Sequence, residues 1–198
     1  VNSVCIPNPI DISNLPEPII SSSKTIMFLG WVIKTKGIEE LLSAWEKVYS
    51  QNDGWRLRIV GPAKVEYLDY LKSNYSFKGV VYEGEKNHEE AMDLLNSSDI
   101  FILPSYTEGF PNAVLEAMAL SKPVIATRVG AIPDMLADGC GVLIDSENSQ
   151  EIITALIHLI ENDAIRRDIG NKSYIKLCKE YTIETVFNRY MQEWGNFT

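Results

Sequence analysis

Six short runs of branched apolar residues, each followed by a segment of helical spacing, set the terms for this chain. They cover residues 25–29, 57–60, 80–82, 100–103, 124–127 and 142–144. Each is too short for a helix, and together they are rich in branched apolar residues, Arg58 and Thr25 apart. Strands buried on both faces belong to a parallel sheet, whose crossover helices cover both sides. The intervening segments supply those helices. Over residues 38–49, Ile38, Leu41, Leu42, Trp45, Val48 and Tyr49 fall on one face, with Glu39, Glu40, Glu46 and Lys47 outside. Residues 64–73, 88–96 and 132–136 read as further helices, and residues 149–161, 164–179 and 182–194 finish the chain with three more. The last carries Val186, Phe187, Tyr190, Met191 and Trp194 as its apolar stripe.

The expected architecture is α/β: a Rossmann-like, three-layer α/β/α domain around a six-stranded parallel sheet. Right-handed crossovers and two βαβαβ halves predict the strand order 3-2-1-4-5-6. The first and fourth strands are then neighbours, and ligands bind beyond their carboxyl ends. The loops expected to face each other there are residues 30–37 and 104–112. Residues 1–23 hold four of the nine prolines and much serine, and read as an extended lead-in to a domain spanning 24–198. The net charge of −9 argues against nucleic acid or an anionic membrane as main partner. Three widely spaced cysteines, Cys5, Cys140 and Cys178, suggest a reducing compartment, hence the cytoplasm. With two histidines and no paired cysteines, no metal site is expected.

The chemically unusual stretch runs from Pro104 to Leu120. It reads as a strand end, a tight loop and a helix that is apolar nearly all round, yet it carries Glu108 in the loop and Glu116 in mid-helix. A buried carboxylate is costly unless something hydrogen-bonds it, either neighbouring groups or a ligand with hydroxyls. Gly109 lets backbone approach a ligand closely. Pro111 suits a first helical turn, where its missing N–H is harmless. Opposite, Gly30-Trp31-Val32-Ile33-Lys34-Thr35-Lys36-Gly37 lacks the GxGxxG dinucleotide fingerprint, which disfavours a nicotinamide dehydrogenase. It offers lysines at a helix start, an arrangement that suits an anion as well as a plain solvated turn. Nothing in the eight-residue spacing of the glutamates supports a glycosidase acid–nucleophile pair.

These motifs together resemble the C-terminal, donor-binding domain of glycosyltransferase family 4, the group 1 glycosyltransferases of GT-B fold. The resemblance covers nearly the whole chain. Ile6-Pro7-Asn8-Pro9-Ile10-Asp11 looks like the family's entry into this domain, and Phe28-Leu29-Gly30 through Lys36-Gly37 like its first diphosphate loop. Ser98-Asp99-Ile100-Phe101-Ile102-Leu103-Pro104-Ser105 looks like the lead into its signature. Glu108 and Glu116 match its paired glutamates. Beyond them, Lys122-Pro123-Val124-Ile125-Ala126-Thr127 and Gly139-Cys140-Gly141-Val142-Leu143 are similar to the family's next two segments.

The resemblance implies a retaining, metal-free transfer from a nucleotide-diphosphate sugar, with UDP, GDP or ADP as carrier, to a glycan, lipid or other hydroxyl acceptor. It implies that Glu108 holds sugar hydroxyls and Glu116 the ribose hydroxyls. The backbone of Gly109, Phe110, Pro111, Asn112 and Ala113 is expected to lie against sugar and phosphate. Gly30 and Lys36 are expected at the diphosphate and Gly84 at the base. Lys36 and Glu108 would carry the catalysis. An N-terminal, acceptor-binding lobe is implied outside this chain, with the last helix crossing back to it. Peripheral attachment of a full-length protein to a membrane stays open. Trp31 departs from the family, which has arginine there. A sugar-nucleotide epimerase and a non-catalytic nucleotide-binding module are the alternatives.

Overall fold

The computed structural model describes residues 6–195. Cys5 and the first residues of the lead-in lie outside them. Six strands form one all-parallel sheet: β1 (Thr25–Leu29), β2 (Arg56–Val60), β3 (Val80–Gly84), β4 (Ile100–Leu103), β5 (Val124–Thr127) and β6 (Val142–Ile144), in the order β3-β2-β1-β4-β5-β6. The predicted reversal between the first and fourth strands is present, with Ile26 opposite Ile100 and Met27 opposite Phe101.

Among the described residues, eight α-helices surround the sheet: α1 (Ile38–Tyr49), α2 (Val65–Asn74), α3 (His88–Asn96), α4 (Asn112–Ala119), α5 (Ile132–Met135), α6 (Ser149–Glu161), α7 (Asp163–Glu180) and α8 (Ile183–Gly195). Every residue of β4 and β5 is buried, as strands covered on both faces require. Phe28, Phe101 and Trp45 are fully enclosed in the core. The Trp45 indole N–H donates to the Lys78 carbonyl at 3.0 Å, so the largest core side chain leaves no polar atom stranded.

The proline-rich lead-in makes few backbone pairs, and side chains tie it down instead. Ile10 N–H donates to the Tyr181 carbonyl at 2.8 Å, beside the junction of α7 and α8. Asn96 bridges two points, accepting from Ile19 N–H at 3.1 Å and donating to the Glu17 carbonyl at 2.8 Å. The buried Lys122 ammonium reaches the Ile19 and Asn96 carbonyls at 2.8 and 2.5 Å.

Helix α8 buries only Val186 of its stripe. Phe187, Tyr190, Met191 and Trp194 stand between 45 and 60% exposed. An apolar face of this kind has no partner among the described residues. Among those residues no helix is long and apolar enough to cross a membrane.

Candidate functional site

Because β1 and β4 are adjacent and parallel, the loops that leave their carboxyl ends emerge side by side. Backbone contacts then fix their shape. After β1, Gly30 N–H donates to the Val60 carbonyl and Val32 N–H to the Pro62 carbonyl. A 3-10 turn, Lys34–Lys36, comes next and ends at Gly37 with φ of 71°. A Cβ at Gly37 would lie 2.0 Å from the Pro104 carbonyl oxygen, so only glycine permits this approach. Tyr106 N–H donates to the Thr35 carbonyl at 2.8 Å, which sews the two loops together. The loop after β5 closes in from the other side. Gly130 has φ of 55°, and a Cβ there would sit 2.1 Å from the Glu108 carbonyl oxygen. Ala131 N–H donates to the Gly109 carbonyl at 2.9 Å.

This stacking brings Lys36 and Glu108 together. Lys36 Nζ lies 2.6 Å from Glu108 Oε1, with the side chains 25 and 10% exposed. Glu108 is therefore neither a plain surface charge nor an orphan: its partner is a lysine from the facing loop. Behind the pair, the Tyr106 hydroxyl donates to Glu40 Oε1 at 2.7 Å. Burial, reinforced by that carboxylate, holds the Tyr106 hydroxyl well above its ordinary pKa. The other Glu40 oxygen and the Ser105 hydroxyl are buried and have no hydrogen-bond partner among the described residues.

Helix α4 begins after Pro111, whose carbonyl accepts from Val114 N–H at 3.1 Å. Its Val114, Leu115, Ala117 and Met118 are buried, as an all-round apolar helix demands. Glu116 is the exception within it. Its side chain is 16% exposed, and among the described residues no group hydrogen-bonds it. His88 Nδ1 comes closest, at 3.7 Å from Oε1. Burial pushes the Glu116 carboxyl above its ordinary pKa, and His88 opposes this in part. The carboxylate opens into a cavity of about 200 Å³, lined also by His88, Asn112, Leu115 and, from the lead-in, Pro9, Ile10, Asp11 and Leu15.

The remaining predicted residues fall around this frame. Gly84 ends β3 with φ of 70°, and open space faces it. Gly109 likewise faces open space, whereas Gly30 lies against Gly61, whose own Cβ would meet the Gly30 carbonyl oxygen at 2.0 Å. The Phe110 ring turns aside to pack on Tyr181, 5.9 Å between centroids, so only its backbone remains toward the loop. Asn112 is exposed at the helix start, and Ala113 is half-buried behind it. Trp31 is 63% exposed. Sequence reasoning did not single out His88, Glu40, Tyr106 or the lead-in wall. A helix start four residues past Gly84 was the one signal available for His88. Among the described residues no cluster of three or more His, Cys, Asp or Glu side chains is set to hold a metal ion.

A six-stranded parallel sheet in this order, with its loops converging at the switch point, is a Rossmann-like half of a GT-B fold. The model of the family described as glycosyl transferases group 1 matches residues 14–176, and the chain belongs to that family. It is 25% identical over 187 residues to the capsular polysaccharide biosynthesis glycosyltransferase CapM of Staphylococcus aureus, covering 88% of this chain and 48% of that protein. The crystal structure of the C-terminal domain of a group 1 glycosyl transferase, LpcC of Francisella tularensis, superposes with a TM-score of 0.78 at 27% identity, covering 88% of this chain and 99% of that domain. The fold is shared also with Anabaena HepE, solved in complex with UDP-glucose, at a TM-score of 0.74 and 19% identity, over 88% of this chain and 49% of that one. The chain spans about half the length of the curated relatives it matches.

Proposed function

We propose that this chain is the donor-binding half of a retaining glycosyltransferase, acting on a nucleotide-diphosphate sugar. The observation that carries the reading is the pairing of Lys36 with Glu108 at the switch point, one element away from the hydrogen-bond-starved Glu116. Glu108 would accept from sugar hydroxyls and Glu116 from ribose hydroxyls, since a carboxylate takes vicinal diols well. Lys36 would shift from Glu108 toward the diphosphate. As the bond from the anomeric carbon to the diphosphate breaks, its electron pair stays on the leaving oxygen. A fixed ammonium there binds the growing charge better than it binds the ground state. Neither glutamate is assigned a proton transfer. Trp31 supplies no cation, so Lys36 and the loop backbone carry the diphosphate on this side. The acceptor site belongs to the second lobe that the relatives' greater length suggests. The free thiols Cys140 and Cys178 agree with a reducing, cytoplasmic setting.

A thermal-shift screen of the chain against UDP-, GDP- and ADP-sugars tests the reading. A donor at a hundred times its Kd adds about 2.7 kcal/mol of stability. For a domain of this size that raises Tm by about 5–10 °C. Glu116→Ala is expected to lose most of the shift. If no nucleotide sugar moves Tm, the donor-site reading fails. If Glu116→Ala in a full-length protein leaves sugar transfer intact, the site is a non-catalytic nucleotide-binding module instead.

A further inference from the structure

We propose that His88 is a nucleoside-binding residue that shares one ribose hydroxyl with Glu116. The inference rests on the donor-site reading above and adds to it a residue from another helix. The cavity beside Glu116 has few polar groups able to meet a ligand. Asp11 Oδ1 is engaged in its own turn, accepting from Ser13 N–H at 2.9 Å and from the Ser13 hydroxyl at 2.6 Å, and its Oδ2 accepts from Asn14 at 3.4 Å. Leu115 and Ile10 are apolar walls. On the helix side of the cavity Glu116 and His88 stand together, with Asn112 at the rim.

Their separation is the informative quantity. At 3.7 Å, Nδ1 and Oε1 are too far apart for a direct hydrogen bond. The distance suits a third atom. One hydroxyl oxygen about 2.8 Å from each would subtend an angle of roughly 80° between them, which a small rotation of His88 opens toward tetrahedral. The hydroxyl gives its single proton to the carboxylate, the stronger acceptor, and takes a hydrogen bond from Nδ1–H. His88 is 68% exposed and free to make that rotation. Its backbone, by contrast, is fixed. It is the first residue of α3, set by a capping box in which Asn87 Oδ1 accepts from Glu90 N–H at 2.8 Å and Glu90 Oε2 accepts from Asn87 N–H at 3.2 Å. The imidazole thus stands at a fixed root beside the buried carboxylate, and no hydrogen bond to another described residue engages it.

The test is a cycle between protein and ligand. UDP, GDP and ADP are each titrated calorimetrically with their 2′-deoxy and 3′-deoxy forms, against the wild-type chain and His88→Ala. The exposed position keeps the variant folded, which its Tm verifies. His88→Ala is expected to weaken the nucleotide that binds about five- to tenfold, the worth of one hydrogen bond. That penalty should vanish for one of the two deoxy forms. His88→Asn, whose amide nitrogen stands where Nδ1 does, should restore most of the affinity. An equal loss with all three sugars, or no loss with any, overturns the shared hydroxyl while leaving the donor site standing. Failure of all three nucleotides to bind the wild-type chain overturns both.

Discussion

Raising the pH from 7 to 9 is expected to stabilise this domain, because Lys122 then sheds a proton that its burial makes costly. The residue is 2% exposed, and burial lowers its pKa from the ordinary 10.5 to about 8, with Asp99 opposing in part. Between those two values the unfolded chain binds the proton and the folded chain does not. Stability therefore rises as pH climbs through 8, and below that both states are charged and the folded one bears the whole cost. Integrated from pH 7 to 9, the gain from Lys122 alone is about 1.3 kcal/mol. In a domain of this length that is a rise of about 3–5 °C in Tm. The neutral amine keeps two N–H groups for its two carbonyl partners, Ile19 and Asn96, so both bonds survive deprotonation. As pH nears the ordinary thiol value of 9.0 the gain begins to be eroded. Burial also raises the Cys140 thiol and the Tyr67, Tyr75 and Tyr106 hydroxyls, and groups of that kind lose protons first in the unfolded chain. The assay is scanning calorimetry at pH 7, 8 and 9 at constant ionic strength, with Lys122→Met alongside. The variant is expected to be less stable throughout, since it strands two carbonyls, and it should lose the upward pH slope. A wild-type Tm that stays level or falls over this interval refutes the reasoning, as does an equal slope in Lys122→Met.

The remaining expectations concern the loops, Glu116 and the last helix. The Glu116 carboxyl has a raised folded pKa, so its charge destabilises the fold above that value and ceases to as pH falls through it. Glu116→Gln should therefore raise Tm at pH 7.5 (the gain shrinking toward the ordinary carboxylate range), and a lower Tm at pH 7.5 would count against a desolvated charge. Gly37→Ala forces a Cβ within 2.0 Å of the Pro104 oxygen at positive φ, and should cost about 2 kcal/mol or more in urea unfolding. Phe187→Ser combined with Trp194→Ser should leave the unfolding midpoint within about 0.5 kcal/mol of wild type while reducing binding of a hydrophobic dye. A large loss of stability would show that this face is packed after all.

Most of the framework was legible because it depends on local patterns. Short apolar runs named the strands, helical spacing named the crossovers, and handedness then allowed essentially one strand order. Glu116 stood out as a charge in an apolar helix, and Glu108 through its match to the paired glutamates of the family. The pairing of Lys36 with Glu108 was not legible, since 72 residues separate them and only the stacking of two loops brings them into contact. The same holds for the Tyr106 hydroxyl on Glu40, which looked like one more outward charge on α1. His88 gave only the weak signal of its helix start past Gly84, because a lone histidine there has many uses and its neighbour Glu116 lies on another helix. The stripe on α8 is plain as an apolar pattern, but its spacing says nothing of whether a partner covers it.

The ion pair at the switch point has a consequence for selectivity. The ammonium and the carboxylate satisfy each other at 2.6 Å, and a ligand that uses either would have to separate them. A free sugar would occupy Glu108 and strand the lysine; inorganic phosphate would draw off the lysine and strand the acid. Either half-match leaves a largely buried charge without its counterpart, an outcome costlier than the pair it replaced. In the proposed donor site, a molecule that presents hydroxyls and an anion together, joined at the right span, would release both without penalty. The pair in that site thus favours the intact nucleotide sugar over its separate parts without excluding them.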